Sequence, residues 1–136
     1  MTGSAAGNCP NMKLLNGKYG ICRLDSSGSI PGWVHRGEFF SVTGTPDELS
    51  VVCSEACIPE NVKGEKGWRI LKVEGPLDFS LVGILASISA VLARNRISIF
   101  AVSTYDTDYI LVRDGDIDNA VEALLKEGYK VEKEGK

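Results

Sequence analysis

The sequence predicts an α+β fold of ferredoxin-like βαββαβ modules, arranged as a degenerate tandem pair with antiparallel sheets and helices on one face, and three observations predict it. From Trp68 to Val131, strand-length apolar runs alternate with two segments of helical periodicity in the order β-α-β-β-α-β. Ahead of them, three strand-length runs occur with no helix of comparable length between them. The halves also echo each other. At an offset of 60, Phe40-Ser41-Val42-Thr43 falls on Phe100-Ala101-Val102-Ser103, Glu48 on Asp108 and Val51-Val52 on Leu111-Val112; at an offset of 49, Ile21-Cys22-Arg23-Leu24 falls on Ile70-Leu71-Lys72-Val73. The difference between the offsets places the missing residues at the long helix of the second copy, so the first copy lacks its long first helix.

Each element has a local reason. Residues 1–11, rich in Gly, Ser, Ala and Asn without periodicity, read as a flexible tail. Residues 12–15 and the strand 19–24 flank the turn signal Asn16-Gly17 and read as two arms of a hairpin. Pro31 and Gly32 reduce residues 30–33 to one turn with Trp33 packed inward, and strands 38–42 and 49–53 follow, joined through 43–48. Pro59, Gly64, Gly67 and a charged run mark 54–67 as a linker, which divides a first module at 12–66 from a second at 67–136. In the second, 68–73 is a strand, and from Phe79 the apolar positions Leu81, Ile84, Leu85, Ile88, Val91 and Leu92 mark the longest helix, as far as Asn95. Strands 97–102 and 109–112 come next. Asp116 caps a last helix with the face Ile117, Val121, Leu124 and Leu125, Gly128 ends it, and 129–131 closes the module as a strand. With no second helix or fourth strand visible, the first copy is expected to borrow sheet edge or helix cover from its neighbour or from a second chain.

Composition narrows the function. With 136 residues and 43% hydrophobic content the chain can bury one core or two small fused ones. A net charge of -3 and a pI near 5.2 leave no broad cationic face, a poor electrostatic match for nucleic acid or a membrane surface. No run reaches the roughly 18 apolar residues of a membrane span, and residues 1–11 lack the basic start and apolar stretch of a signal peptide, so the cytoplasm is the expected compartment. Cys9, Cys22, Cys53 and Cys57 form no CxxC pair, and His35 is the only imidazole; Cys22 and Cys53 sit in strand-like runs as small hydrophobes, so neither a metal nor a disulfide is expected. Without a nucleophile–base pair or a phosphate loop, no enzyme activity and no cofactor are expected.

The chemistry concentrates after Phe100, where Ser103-Thr104-Tyr105-Asp106-Thr107-Asp108 forms a hydroxyl- and carboxylate-rich turn between two apolar runs. One helix earlier stands the glycine-containing start Gly75-Pro76-Leu77-Asp78-Phe79-Ser80-Leu81-Val82-Gly83-Ile84. A βαβ connection brings both to one end of a sheet, a corner suited to a small zwitterion. First-turn N–H groups and the helix dipole can bind a carboxylate, and Asp106 or Asp108 can accept an ammonium. Alternatives stand beside these roles: Gly83 also suits close helix–sheet packing, Asp78 and Ser80 are plausible helix caps, Ser103 and Thr104 can satisfy turn backbone, and Asp106 reads as solvated.

These residues, with Thr45-Pro46-Asp47-Glu48-Leu49-Ser50-Val51-Val52 in the first copy, resemble the small tandem-ACT proteins; the second copy is similar to the ACT pairs of aspartate kinases and of the cytosolic arginine-sensor family. The resemblance covers residues 14–131. It implies modules that associate side by side, bind a free amino acid at the interface between modules, and pass occupancy to an enzyme or signalling partner. Carried over by position, ligand contacts fall on Asp78, Ser80, Leu81, Val82, Gly83 and Ile84, and on Ser103, Thr104, Thr107 and Asp108. The first copy departs from the pattern by lacking the glycine-containing helix start, which puts a second equivalent site in doubt. Exposed sheet edges on copies this small lead to an expected homodimer. The alternatives are an ACT-type dimerisation scaffold without ligand and, further off, a small ferredoxin-like enzyme.

Overall fold

Strand β5 (Gly64–Val73) is the element around which the architecture is organised in the computed structural model, which describes residues 9–75 and 82–135. Before it come β1 (Asn11–Leu14), β2 (Tyr19–Leu24), β3 (Phe40–Gly44) and β4 (Leu49–Ser54). After it come α1 (Ile84–Arg94), β6 (Ile99–Ser103), β7 (Asp108–Arg113), α2 (Ile117–Lys126) and β8 (Lys130–Lys133). Two compact units divide the chain, one of Gly17–Trp68 and one of the residues to Asn16 together with those from Arg69 onward. The changeover thus falls within β5, where the sequence reading set it between residues 66 and 67.

In the smaller unit the strands lie in the order β3-β4-β2-β5, all antiparallel. That is the order of a split βαβ whose fourth strand is the first half of β5, and 3-10 turns at Gly32–Arg36 and Glu55–Cys57 stand where its helices belong. The linker expected over 54–67 therefore contains the missing fourth strand. It escaped the sequence reading because Gly64, Glu65 and Lys66 are exposed and polar and show no alternation. Expected turn 30–33 lies slightly later, and Val34, fully buried, takes the inward place assigned to Trp33, which packs partly buried at the margin. Cys22, Val34, Leu49, Val51, Cys53 and Ile58 form this unit's core.

In the larger unit the order is β6-β7-β5-β1-β8. β1 pairs antiparallel with β5, Leu14 opposite Leu71, and parallel with β8, Leu14 opposite Lys133. The hairpin expected between residues 12–15 and 19–24 is thus corrected. The Asn16-Gly17 signal does turn the chain, but Met12 and Leu14 are buried in the larger unit's core and hold β1 there. This core gathers Leu71, Val73, Ile88, Leu92, Ile110, Val112 and Leu124 beneath the two helices. On α2 the buried residues are Ile117, Ala120, Ala123 and Leu124, whereas Leu125, expected inside, is 51% exposed. Asp116 occupies the N-cap position without a side-chain capping bond, because a 3-10 turn at Asp114–Asp116 leads into the helix.

The internal echo has a different register from the one read in sequence. Gly44 faces Leu49 across a hairpin in the smaller unit, and Ser103 faces Asp108 across one in the larger, an offset of 59. Both turns carry the same bonds: Thr45 N and Oγ1 donate to Glu48 O and Glu48 N to Thr45 Oγ1, while Thr104 N and Oγ1 donate to Thr107 O and Thr107 N to Thr104 Oγ1. At 59, core residue Val51 corresponds to core residue Ile110; at 60 it corresponds to Leu111, on the other face of β7.

Candidate ligand site

The candidate site is built on the end of β5, the start of α1 and the turn between β6 and β7, all within the larger unit. At the helix start, Gly83 has φ +80° and is the N-cap of α1. An added Cβ there would meet nothing within 4 Å, so close helix–sheet packing does not explain this glycine; the left-handed backbone does. Gly83 O receives Ser87 N at 2.8 Å, the first bond of the helix, and Gly83, having no side chain, leaves the first-turn N–H groups without a cap from the N-cap position. The helix begins at Ile84, so Val82, which is 89% exposed, and Gly83 precede it. Asp78, Ser80 and Leu81 lie outside the described residues.

The other arm is the turn 103–108. Ser103 Oγ donates to Asp108 Oδ1 at 2.6 Å, which leaves the second carboxylate oxygen for other donors. Thr104 and Thr107 bond each other, so Thr104's hydroxyl serves turn backbone. Thr107 is the one buried polar side chain among the described residues, 4% exposed, and its Oγ1 donates to Val73 O at 2.7 Å. Its hydroxyl is committed to holding the turn against the end of β5. The sequence marked Thr107 as a contact residue but could not show that it anchors the turn, since its acceptor is a main-chain carbonyl 34 positions away. Asp106 is exposed, as a solvated turn residue would be, and Tyr105 at the turn's tip is 82% exposed.

The anchor yields a prediction. Thr107→Val leaves a buried carbonyl without its donor and is expected to lower stability by about 1–3 kcal/mol, whereas Thr107→Ser keeps the donor and stays closer to the parent; denaturant unfolding checks both.

Elsewhere, no group of three or more His, Cys, Asp or Glu among the described residues is placed to hold a metal ion. Burial, with the neighbouring Cys22 and Cys57 adding to it, pushes the Cys53 thiol up to about 12, and burial also raises Cys22. Both thiols are therefore protonated near neutral pH and poor nucleophiles. His35 is exposed, its ring 5.0 Å from that of Phe40 in an edge contact.

A family model described as the ACT domain matches residues 63–126, and a second, described only as an N-terminal domain, matches 17–61. Cytosolic arginine sensor for mTORC1 subunit 1 of Bos taurus is 31% identical over 103 residues, covering 68% of this chain and 31% of that relative. The chain thus spans about a third of the length of that curated relative. A crystal structure of an Agobacterium tumefaciens protein is 41% identical and matches with a TM-score of 0.89 over 94% of this chain and 96% of that one. The aspartate kinase of Synechocystis shares the fold at a TM-score of 0.66 and 15% identity, covering 94% of this chain and 28% of that one.

Proposed function

We propose that this chain, whose residues 63–126 match the ACT-domain model, is a non-catalytic regulatory module that binds a free amino acid and signals the occupancy to a partner. The observation that carries this reading is the bond from Thr107 Oγ1 to Val73 O, which fixes the turn bearing Asp108 at the end of β5 from which the chain runs on toward α1. First-turn N–H groups after Gly83 supply donors for a ligand carboxylate, and the second carboxylate oxygen of Asp108 an acceptor for its ammonium. Thr107 holds the turn in this scheme, and Ser103 orients Asp108.

The hairpin of the smaller unit has Gly44 and Leu49 where the larger has Ser103 and Asp108, which supports one such site per chain. A homodimer and a cytoplasmic location complete the proposal; no helix among the described residues is long and apolar enough to cross a membrane. Binding would favour one packing of the modules, and a partner enzyme or signalling protein would read the difference.

Thermal melting against the twenty amino acids, arginine included, tests the reading. A ligand at about 100 times its dissociation constant should add roughly 2.7 kcal/mol of stability. Asp108→Ala should fold and lose that gain. A flat panel removes the free-amino-acid reading and leaves a scaffold without ligand.

A further inference from the structure

A second cluster of charge lies toward the other end of β5 in the larger unit, where Arg69 opens that unit's share of the strand and Val73 closes it. Leu14, Asn16, Arg69, Asp118 and Lys133 line a cavity of about 150 Å³ there, open to solvent. Its parts come from the ends of β1 and β8, the start of α2 and the middle of β5. Arg69 is held in place: Nη2 donates to Leu15 O at 3.3 Å, and Nη1 lies 3.6 Å from Asp114 Oδ1. Its Nε is buried with no acceptor, so the guanidinium carries more donor capacity than its protein partners use. Asn16 is fixed as well, through N to Glu134 Oε1 at 2.7 Å and Nδ2 to Gly135 O at 2.8 Å. Lys133 and Asp118, both exposed, bring the opposite charges to the rim.

Two cations and one carboxylate around a space this small complement a molecule that carries a carboxylate and an ammonium close together. We propose that the cavity is a second small-molecule site that takes a compact zwitterion, its carboxylate on Arg69 and Lys133 and its ammonium on Asp118. The pre-positioned Arg69 guanidinium supplies the geometry, since a planar fork already held by two protein partners loses little freedom when it takes a third. Acetate meets only the cationic half of such a site, and glycine meets both halves. The proposal does not rest on the site near Asp108.

The test is a titration of the ¹⁵N-labelled full chain with glycine and, separately, with acetate, followed by amide chemical shifts. Glycine at about 50 mM, well above a millimolar dissociation constant, should move the amides of Asn16, Arg69, Asp118 and Lys133. Lys133→Gln should weaken the response at least about tenfold, the scale of losing a charge-assisted bond, and Asp118→Asn should leave glycine no better than acetate. Both positions are exposed, so the variants fold. Unmoved amides around the cavity, shifts confined to 103–108, or an unchanged response in Lys133→Gln would each overturn the proposal. The reading of the Asp108 site keeps its own test in the melting panel.

Discussion

Gly64→Ala is expected to destabilise the smaller unit almost as severely as Gly64→Val. An added Cβ at this position comes 2.5 Å from Ile21 O and 3.1 Å from Cys22 Cα, and both obstacles are backbone. A flexible side chain could swing aside, but the paired strand cannot. Because the collision begins at the first carbon, alanine meets it in full, and the cost is on the order of 3 kcal/mol, a large share of ordinary domain stability. Relief would require β5 to leave β2, breaking the Cys22–Gly64 pairing and the neighbouring bond from Arg23 N to Lys63 O at 3.1 Å. Gly32→Ala is the control: an added Cβ there meets nothing within 4 Å, and its melting temperature should stay near the parent's. A Gly64→Ala protein as stable as the Gly32→Ala protein would show that the two strands do not approach this closely.

Ile88→Ala should cost about 2–5 kcal/mol, the range for large-to-small substitution in a packed core. Ile88 is fully buried and belongs with Leu71, Val73, Ile110 and Val112 to the larger unit's core, so the vacated space is walled by sheet and helix. α1 has 11 residues and three buried ones, Ile88, Val91 and Leu92, so removing one takes away a large part of what seats it. The functional consequence follows from the helix's N-terminal end, because Gly83 and the first turn move with α1. Any amino acid that raises the melting temperature of the parent should therefore do so less in Ile88→Ala. Ala90→Ser, on the exposed face of the same helix, should alter neither quantity by more than about 0.5 kcal/mol. Calorimetry with and without the ligand separates the two effects.

Much of this architecture is legible in the residues, and the exceptions have physical causes. The strand read at 19–24 is the strand observed, and β-α-β-β-α-β holds from Arg69 onward, because there each buried face imposes a period that the sequence displays. β1 was readable as apolar but not as a partner of β5 and β8, since pairing across the length of the chain leaves no local trace. The first half of β5 was hidden by its polarity. The internal offset failed by a single residue because the shared Phe-x-Val pattern around Phe40 and Phe100 outweighed the turns, whereas the hairpin registers obey the turns. Thr45 and Thr104, each bonding the residue three places on, were the signal that would have corrected it. At the candidate site the sequence singled out Gly83, Ser103 and Asp108 by residue type. The division of labour among the hydroxyls was beyond it, because that depends on which carbonyl each can reach.

The pairing of β1 between β5 and β8 also dictates an order of events during synthesis. β1 leaves the ribosome before either neighbour exists, and the whole of the smaller unit must be made before β5 can meet it. Its far edge waits longer still: Asn16 N and its acceptor on Glu134 are 118 positions apart. Closing contacts over such separations is slow, and the nascent strand stays open to wrong partners meanwhile. β1 is thus made before its partners yet is among the last strands to be secured, and because Met12 lies opposite Val73, whose carbonyl anchors the turn of the proposed ligand corner, this kinetic weak point adjoins that corner.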